Sequence, residues 1–149
     1  MFRKFLLSFA LVVGACNSLM ADQYDGMVEK TIEQANELGI QVSVAIVDQH
    51  GNLVAFRRME GAILASVKFS QGKALTSATI PMSTADIANM NANTPGAPFG
   101  NIPGFVLLKG GVPLFSESGS LIGAIGVAGG SGEQDELCAK AALTTNTAE

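Results

Sequence analysis

Two pairs of strand-patterned runs in this chain are joined by turns too short for anything but a hairpin. QVSVAIVD and NLVAFRRM flank Asp48-Gln49-His50-Gly51, and the apolar runs 112–116 and 121–127 flank Ser118-Gly119. Parallel neighbours need a crossover of about a dozen residues or more, so these strands pair antiparallel. A dinucleotide-binding fold, built from strand-helix-strand units, is thereby disfavoured.

Helical signals fill the space around the hairpins. Residues 22–38 mix Met27, Ile32 and Ala35 with charged residues and stop at Gly39. Residues 62–80 are helical in composition despite Gly72, and Pro81 closes them. A shorter helix is predicted over 83–90 with Ser83 or Thr84 as cap, and a last one from Ser131 to about Thr144. A further strand is predicted over 105–108, turning at Lys109-Gly110-Gly111 into a three-stranded meander. The order α-β-β-α-α-β-β-β-α predicts an α+β domain with one five-stranded antiparallel sheet flanked by helices. Between helix and meander lies NANTPGAPFGNIPG, residues 91–104, a long loop of the kind that tends to carry function.

The N-terminal segment reads as a leader. Arg3 and Lys4 precede an apolar run from Phe5 to Val13, and small and polar residues follow to Ala21. This predicts a secretory signal peptide over 1–21 and a mature domain over 22–149, placed in the periplasm or secreted. The run is shorter than the roughly 20 apolar residues of a membrane span. Val13-Gly14-Ala15-Cys16 resembles a lipoprotein box, so lipidation at Cys16 is the alternative and the one route to a membrane. Without the leader the acidic side chains outnumber the basic ones still further. That balance argues against nucleic acid, whose binders need basic surface. Of the two cysteines only Cys138 lies in the mature segment, so no internal disulfide is expected.

GAIGVAGGSGEQDE, residues 123–136, poses the sharpest functional question: phosphate cradle or structural punctuation. No Gly-Lys-[Ser/Thr] triplet occurs, and Asp135 stands where a dinucleotide fingerprint needs its third glycine. Glu133, Asp135 and Glu136 would fill the first turn of the following helix and repel an arriving phosphate. Ser131 with Gln134 forms a capping box that uses the same amides. The segment is therefore read as structural. Ser70-Gln71-Gly72-Lys73 matches the S-x-x-K of serine β-lactamases, but no S-D-N accompanies it.

Candidate ligand chemistry gathers on the second helix. Ser66, Ser70 and Lys73 fall at i, i+4 and i+7 and share a face. Arg57 and Arg58 end the preceding strand and point to opposite sides of the sheet. With Lys68 these cations form a cluster suited to a carboxylated ligand. A solvated face with ion pairs to Glu60 or Asp86 explains the same residues.

Three blocks carry a resemblance. VSVAIVDQHGNLVAFRRMEGAILASVKFSQGKA, IPGFVLLKGGVPLF and SGSLIGAIGVAGGSGEQDELCAKAAL together resemble the GlcG/HbpS family of haem-degrading domain proteins, similar to the C-terminal domain of PduO proteins. The resemblance implies a profilin-like sandwich, homo-oligomeric assembly and, for some members, haem or iron. It makes Arg57 and Lys73 the matching positions with useful ligand chemistry. The expected function is a small-ligand-binding protein for haem or a similar carboxylated ligand. Arg57, Ser66, Lys68, Ser70 and Lys73 would contact it, the 91–104 loop would wall it, and Phe56, Phe69 and Phe99 would take a ring. His50 is the candidate iron ligand. The alternative is an enzyme acting on a small organic acid, with Lys73 as acid/base and Asp135 or Asp48 as its partner.

Overall fold

The computed structural model describes residues 23–146 apart from Pro95 and Ala97. The expected signal peptide and Cys16 lie outside the described residues. Helix α1 (23–37) buries Met27, Val28, Thr31 and Ala35 on one face, and the Thr31 hydroxyl is satisfied by Met27 O at 2.9 Å. It ends at Gly39, whose φ of 67° suits glycine. Gly39 N donates to Asn36 O and Ile40 N to Ala35 O, the paired bonds of a Schellman stop.

Four strands follow in two hairpins: β1 (Ser43–Asp48) with β2 (Leu53–Arg58), and β3 (Gly111–Phe115) with β4 (Leu121–Ala128). They form one antiparallel sheet in the order β2-β1-β4-β3, so the two hairpins meet along β1 and β4. Helices α2 (Ala65–Thr79), α3 (Thr84–Asn93) and α4 (Gly132–Ala141) complete the α+β domain.

The alternation of each strand separates two cores. Val44, Ile46, Ile125, Val127, Val112 and Leu114 face Met27 and Val28 of α1 and Cys138 and Ala139 of α4. On the other side small residues meet small residues: Ala45, Val47 and Ala124 pack on Ala74 and Ala78 of α2. The result is an unusually close helix. A Cβ at Gly126 would stand 2.1 Å from Ser70 O and 2.6 Å from Ala74 N. The bulky, hydrophobic core thus lies under α1 and α4, while α2 is held by close backbone approach.

The expected fifth strand does not form. Residues 105–108 run across α2 instead, and threonine hydroxyls of the helices satisfy their backbone. Val106 N donates to Thr76 Oγ1 at 2.9 Å, and Thr84 Oγ1 donates to Leu108 O at 2.7 Å. Gly72 makes room for this crossing, since a Cβ there would stand 2.4 Å from Val106 Cγ2. The meander accordingly reduces to the β3-β4 hairpin, closed at Gly119 with φ of 80°. The α3 helix runs past Met90 to Asn93 on its Ser83 cap, which shortens the long loop, and Phe99–Asn101 form a 3-10 turn within it.

Candidate functional site

Lys73 reaches from α2 to the far end of β4. Its Nζ donates to Val127 O and to Asp135 Oδ2, each at 2.7 Å. Asp135 sits in the first turn of α4, where Ser131 and Gln134 form the expected capping box, and its Oδ1 accepts from Gly130 N at 2.8 Å. Both side chains are almost wholly buried, at 3% and 5% exposure. Burial pushes the Lys73 ammonium below the usual lysine range against the pull of Asp135. It likewise pushes the Asp135 carboxyl above the usual carboxylate range against the pull of Lys73.

The glycines around the pair are there to let backbone close over it. Gly110 has φ of 117°, and a Cβ on it would stand 2.7 Å from both Asp135 Cβ and Val127 O. Gly129 has φ of 150°, and a Cβ on it would stand 2.2 Å from Gln41 O. The stretch 123–136 thus fits β4 against its neighbours and seats Asp135. Its helix end is occupied by the capping box and by Glu133, which pairs with Lys109 at 3.0 Å.

Two cavities open beside α2, with Phe69 fronting both. The first, of about 420 Å³, lies over Lys73 and Asp135, with Ile63, Phe69, Leu107 and Leu108 as apolar walls and Asn89 and Lys109 as polar ones. The second, of about 450 Å³, lies between the β1-β2 hairpin and residues 104–106. Leu53, Phe69, Leu75, Phe105 and Val106 give it apolar walls, and Lys68 and Gln71 line it as well. Charge distinguishes them. In the first, Asp135 compensates Lys73 and Glu133 compensates Lys109. In the second, Lys68 makes no ion pair among the described residues. An anionic ligand is therefore favoured in the second cavity.

The structure brings only part of the expected cationic cluster together. Register places Arg57 opposite Val44, on the α1 side of the sheet, where it pairs with Glu29, an exposed partner on α1. It does not join Lys73. Arg58 lies opposite Ser43 and donates from Nε to Ala62 O at 3.1 Å. The hydroxyls of Ser66 and Ser70 are taken up within the protein: Ser66 Oγ meets Ser43 Oγ at 2.7 Å and Ser70 Oγ donates to Val67 O. Of the polar stripe on α2, only Ser66 and Lys73 border a cavity.

Asp48 does not approach Lys73 either. It accepts from His50 N at 2.8 Å and Asn52 N at 2.9 Å, and the Asn52 side chain above all holds its carboxyl below the usual range. Of the two proposed partners, Asp135 is the one in contact. Of the described residues of the 91–104 loop only Gly104 belongs to a wall of these two cavities, and Phe56 and Phe99 line neither. Gln71, Leu75 and residues 105–108 are wall residues that sequence reading missed. Gly72 was the available signal, because a glycine inside a helix often marks a close backbone approach.

Iron chemistry finds little in these walls. Neither cavity is lined by His, Met, Cys or Tyr, and no group of three His, Cys, Asp or Glu side chains gathers among the described residues. His50 is exposed on the hairpin turn, one residue before Gly51, which does line the second cavity. Met59 accepts Val42 N on its sulfur at 3.4 Å. Cys138 is buried beside Asp135, and its thiol is pushed up to about 11.

A family model described as haem-degrading protein HbpS-like matches residues 19–144. An uncharacterized 15.0 kDa protein from the dhaT-dhaS intergenic region of Citrobacter freundii is 33% identical over 120 residues, covering 78% of this chain and 84% of that protein. A double mutant of Streptomyces reticuli HbpS superposes with a TM-score of 0.80 at 32% identity, covering 86% of each chain. A crystal structure of a PduOC complex with haem superposes with a TM-score of 0.78 at 29% identity, covering 85% of this chain and 93% of that one.

Proposed function

The chain belongs to the HbpS-like family, and from that premise we propose that it is an exported, oligomeric small-ligand-binding protein for haem or a similar carboxylated ligand. One observation carries this reading: Lys68, a cation with no acidic partner among the described residues, lines an aromatic-walled cavity of about 450 Å³. That volume is within the ordinary range of ligand pockets, about 300–1,000 Å³. Phe69, Phe105, Leu53 and Leu75 suit the face of a ring, and Lys68 suits a carboxylate on its edge.

Haem is the first candidate because PduOC has been crystallised with it. The walls fit a ring and a carboxylate but contain no customary axial ligand among the described residues, so retention by ring and propionates leads, with His50 as the one nearby histidine. Export rests on the leader sequence. Assembly is supported by edge strand β2, which leaves Leu53, Val54 and Phe56 exposed.

The test is a haemin titration of the purified chain followed at the Soret band, with Lys68→Ala and His50→Ala alongside. A saturable shift at fixed stoichiometry is expected, weakened about tenfold in Lys68→Ala, the loss of one charge-assisted bond. His50→Ala is expected to leave affinity close to the parent value. A shift no larger than an unrelated acidic protein gives would defeat the haem reading, and an unchanged Lys68→Ala would defeat the site.

A further inference from the structure

The cavity over Lys73 is not used by the ligand site at Lys68, and its chemistry differs. We propose that it is a second site, taking a small apolar aldehyde or ketone that condenses with Lys73 Nζ to form an iminium.

Three observations carry this inference. Lys73 is 2% exposed yet is among the residues that line a cavity of about 420 Å³, so its side chain lies against open space without facing bulk water. An ammonium has three N–H donors. Val127 O and Asp135 Oδ2 take two of them, and the third has no acceptor among the described residues, which leaves it to the oxygen of a guest. The charged groups around the cavity are already matched, Lys73 with Asp135 and Lys109 with Glu133, and the walls are Ile63, Phe69, Leu107 and Leu108. An uncharged, apolar guest suits such a place.

The pair supplies the proton traffic of the condensation. Asp135 Oδ2, at 2.7 Å, takes a proton from the ammonium, and the freed amine adds to the carbonyl carbon to give a carbinolamine. The Asp135 acid returns that proton to the carbinolamine hydroxyl, which leaves as water while the C=N bond forms. The net exchange is an ammonium and a carbonyl for an iminium and water, with the Asp135 carboxylate as counter-ion before and after. Burial, which disfavours both charges, eases the first transfer.

The experiment treats the full chain with benzaldehyde and cyanoborohydride, which reduces any iminium to a stable benzylamine, and maps the adducts by peptide mass spectrometry. Near pH 7, ordinary lysines with a pKa of about 10.4 are almost wholly protonated and react poorly. Lys73 is expected to be labelled about tenfold more than any of Lys30, Lys68, Lys109 and Lys140, because burial disfavours its ammonium and Asp135 Oδ2 stands at 2.7 Å to take the proton. At about pH 10 that preference is expected to fade, because free amine is then no longer scarce at an ordinary lysine. Circular dichroism before and after labelling shows that the reacting species is folded. Labelling of Lys73 no greater than that of the exposed lysines at the lower pH, or none at all, overturns the proposal, whatever haemin does at Lys68.

Discussion

Lys73→Ala is expected to destabilise the fold by about 3–5 kcal/mol, the characteristic cost of leaving one member of a buried ion pair alone. For a domain whose total stability is about 5–15 kcal/mol, that is a large fraction. The cost arises at Asp135, whose carboxylate would keep its bond from Gly130 N but lose its countercharge beside the close-packed Gly110. With both side chains near 5% exposure or less, solvent screening offers little relief. Replacing both members, Lys73→Met with Asp135→Leu, is expected to recover most of the loss, because no buried charge then remains. Urea unfolding followed by circular dichroism measures both. A Lys73→Ala variant within about 1 kcal/mol of the parent would show that the pair is wetter than its burial indicates.

The reverse deletion has a pH signature. In Asp135→Asn the buried Lys73 keeps a depressed folded pKa without an anion to raise it. The unfolded chain then binds more protons between that folded value and the ordinary lysine value of about 10.4. Stability therefore rises with pH across this window and falls as the medium is acidified through it.

Gly126→Ala is expected to be severely destabilising, beyond the roughly 1–3 kcal/mol of ordinary overpacking. The new methyl would meet Ser70 O at 2.1 Å and Ala74 N at 2.6 Å, both backbone atoms of α2, so relief requires lifting the helix from the sheet. Lifting it also pulls Lys73 from Asp135. Gly26→Ala is the matched control: it sits in α1 with nothing within 4 Å, and exchanging a helical glycine for alanine there is expected to add up to about 1 kcal/mol. Denaturant midpoints for the two variants should move in opposite directions. A Gly126→Ala variant as stable as the parent would contradict the close α2-β4 approach.

Local chemistry was legible in this sequence and long-range placement was not. Ser83, Ser131 with Gln134, Gly39 and the turn at Asp48 each announced an element boundary, because caps and turns are settled by side chains a few residues away. The segment 105–108 misled because its apolar run matches a buried strand, while the threonines that hold it lie 24 and 30 residues distant. Arg57 and Arg58 were correctly set on opposite sides of a strand. Which side α2 would cover is decided by packing, and it separates Arg57 from Lys73. The serines of α2 looked like a ligand face, yet small polar residues also permit a helix to lie tightly on glycines. Asp135 was one of two candidate partners for Lys73, and no spacing rule chooses between residues across 62 positions of chain.

The most direct test of where the ligand sits is the amide proton-nitrogen spectrum of the chain as haemin is added, since paramagnetic ferric haem broadens resonances close to it. Selective loss of Gly51, Lys68, Phe69, Gln71, Phe105 and Val106, with Glu29 and Cys138 on the opposite side of the sheet retained, is the predicted result. Broadening centred on the α1 and α4 face, or spread evenly over the surface, would contradict a ligand site at Lys68.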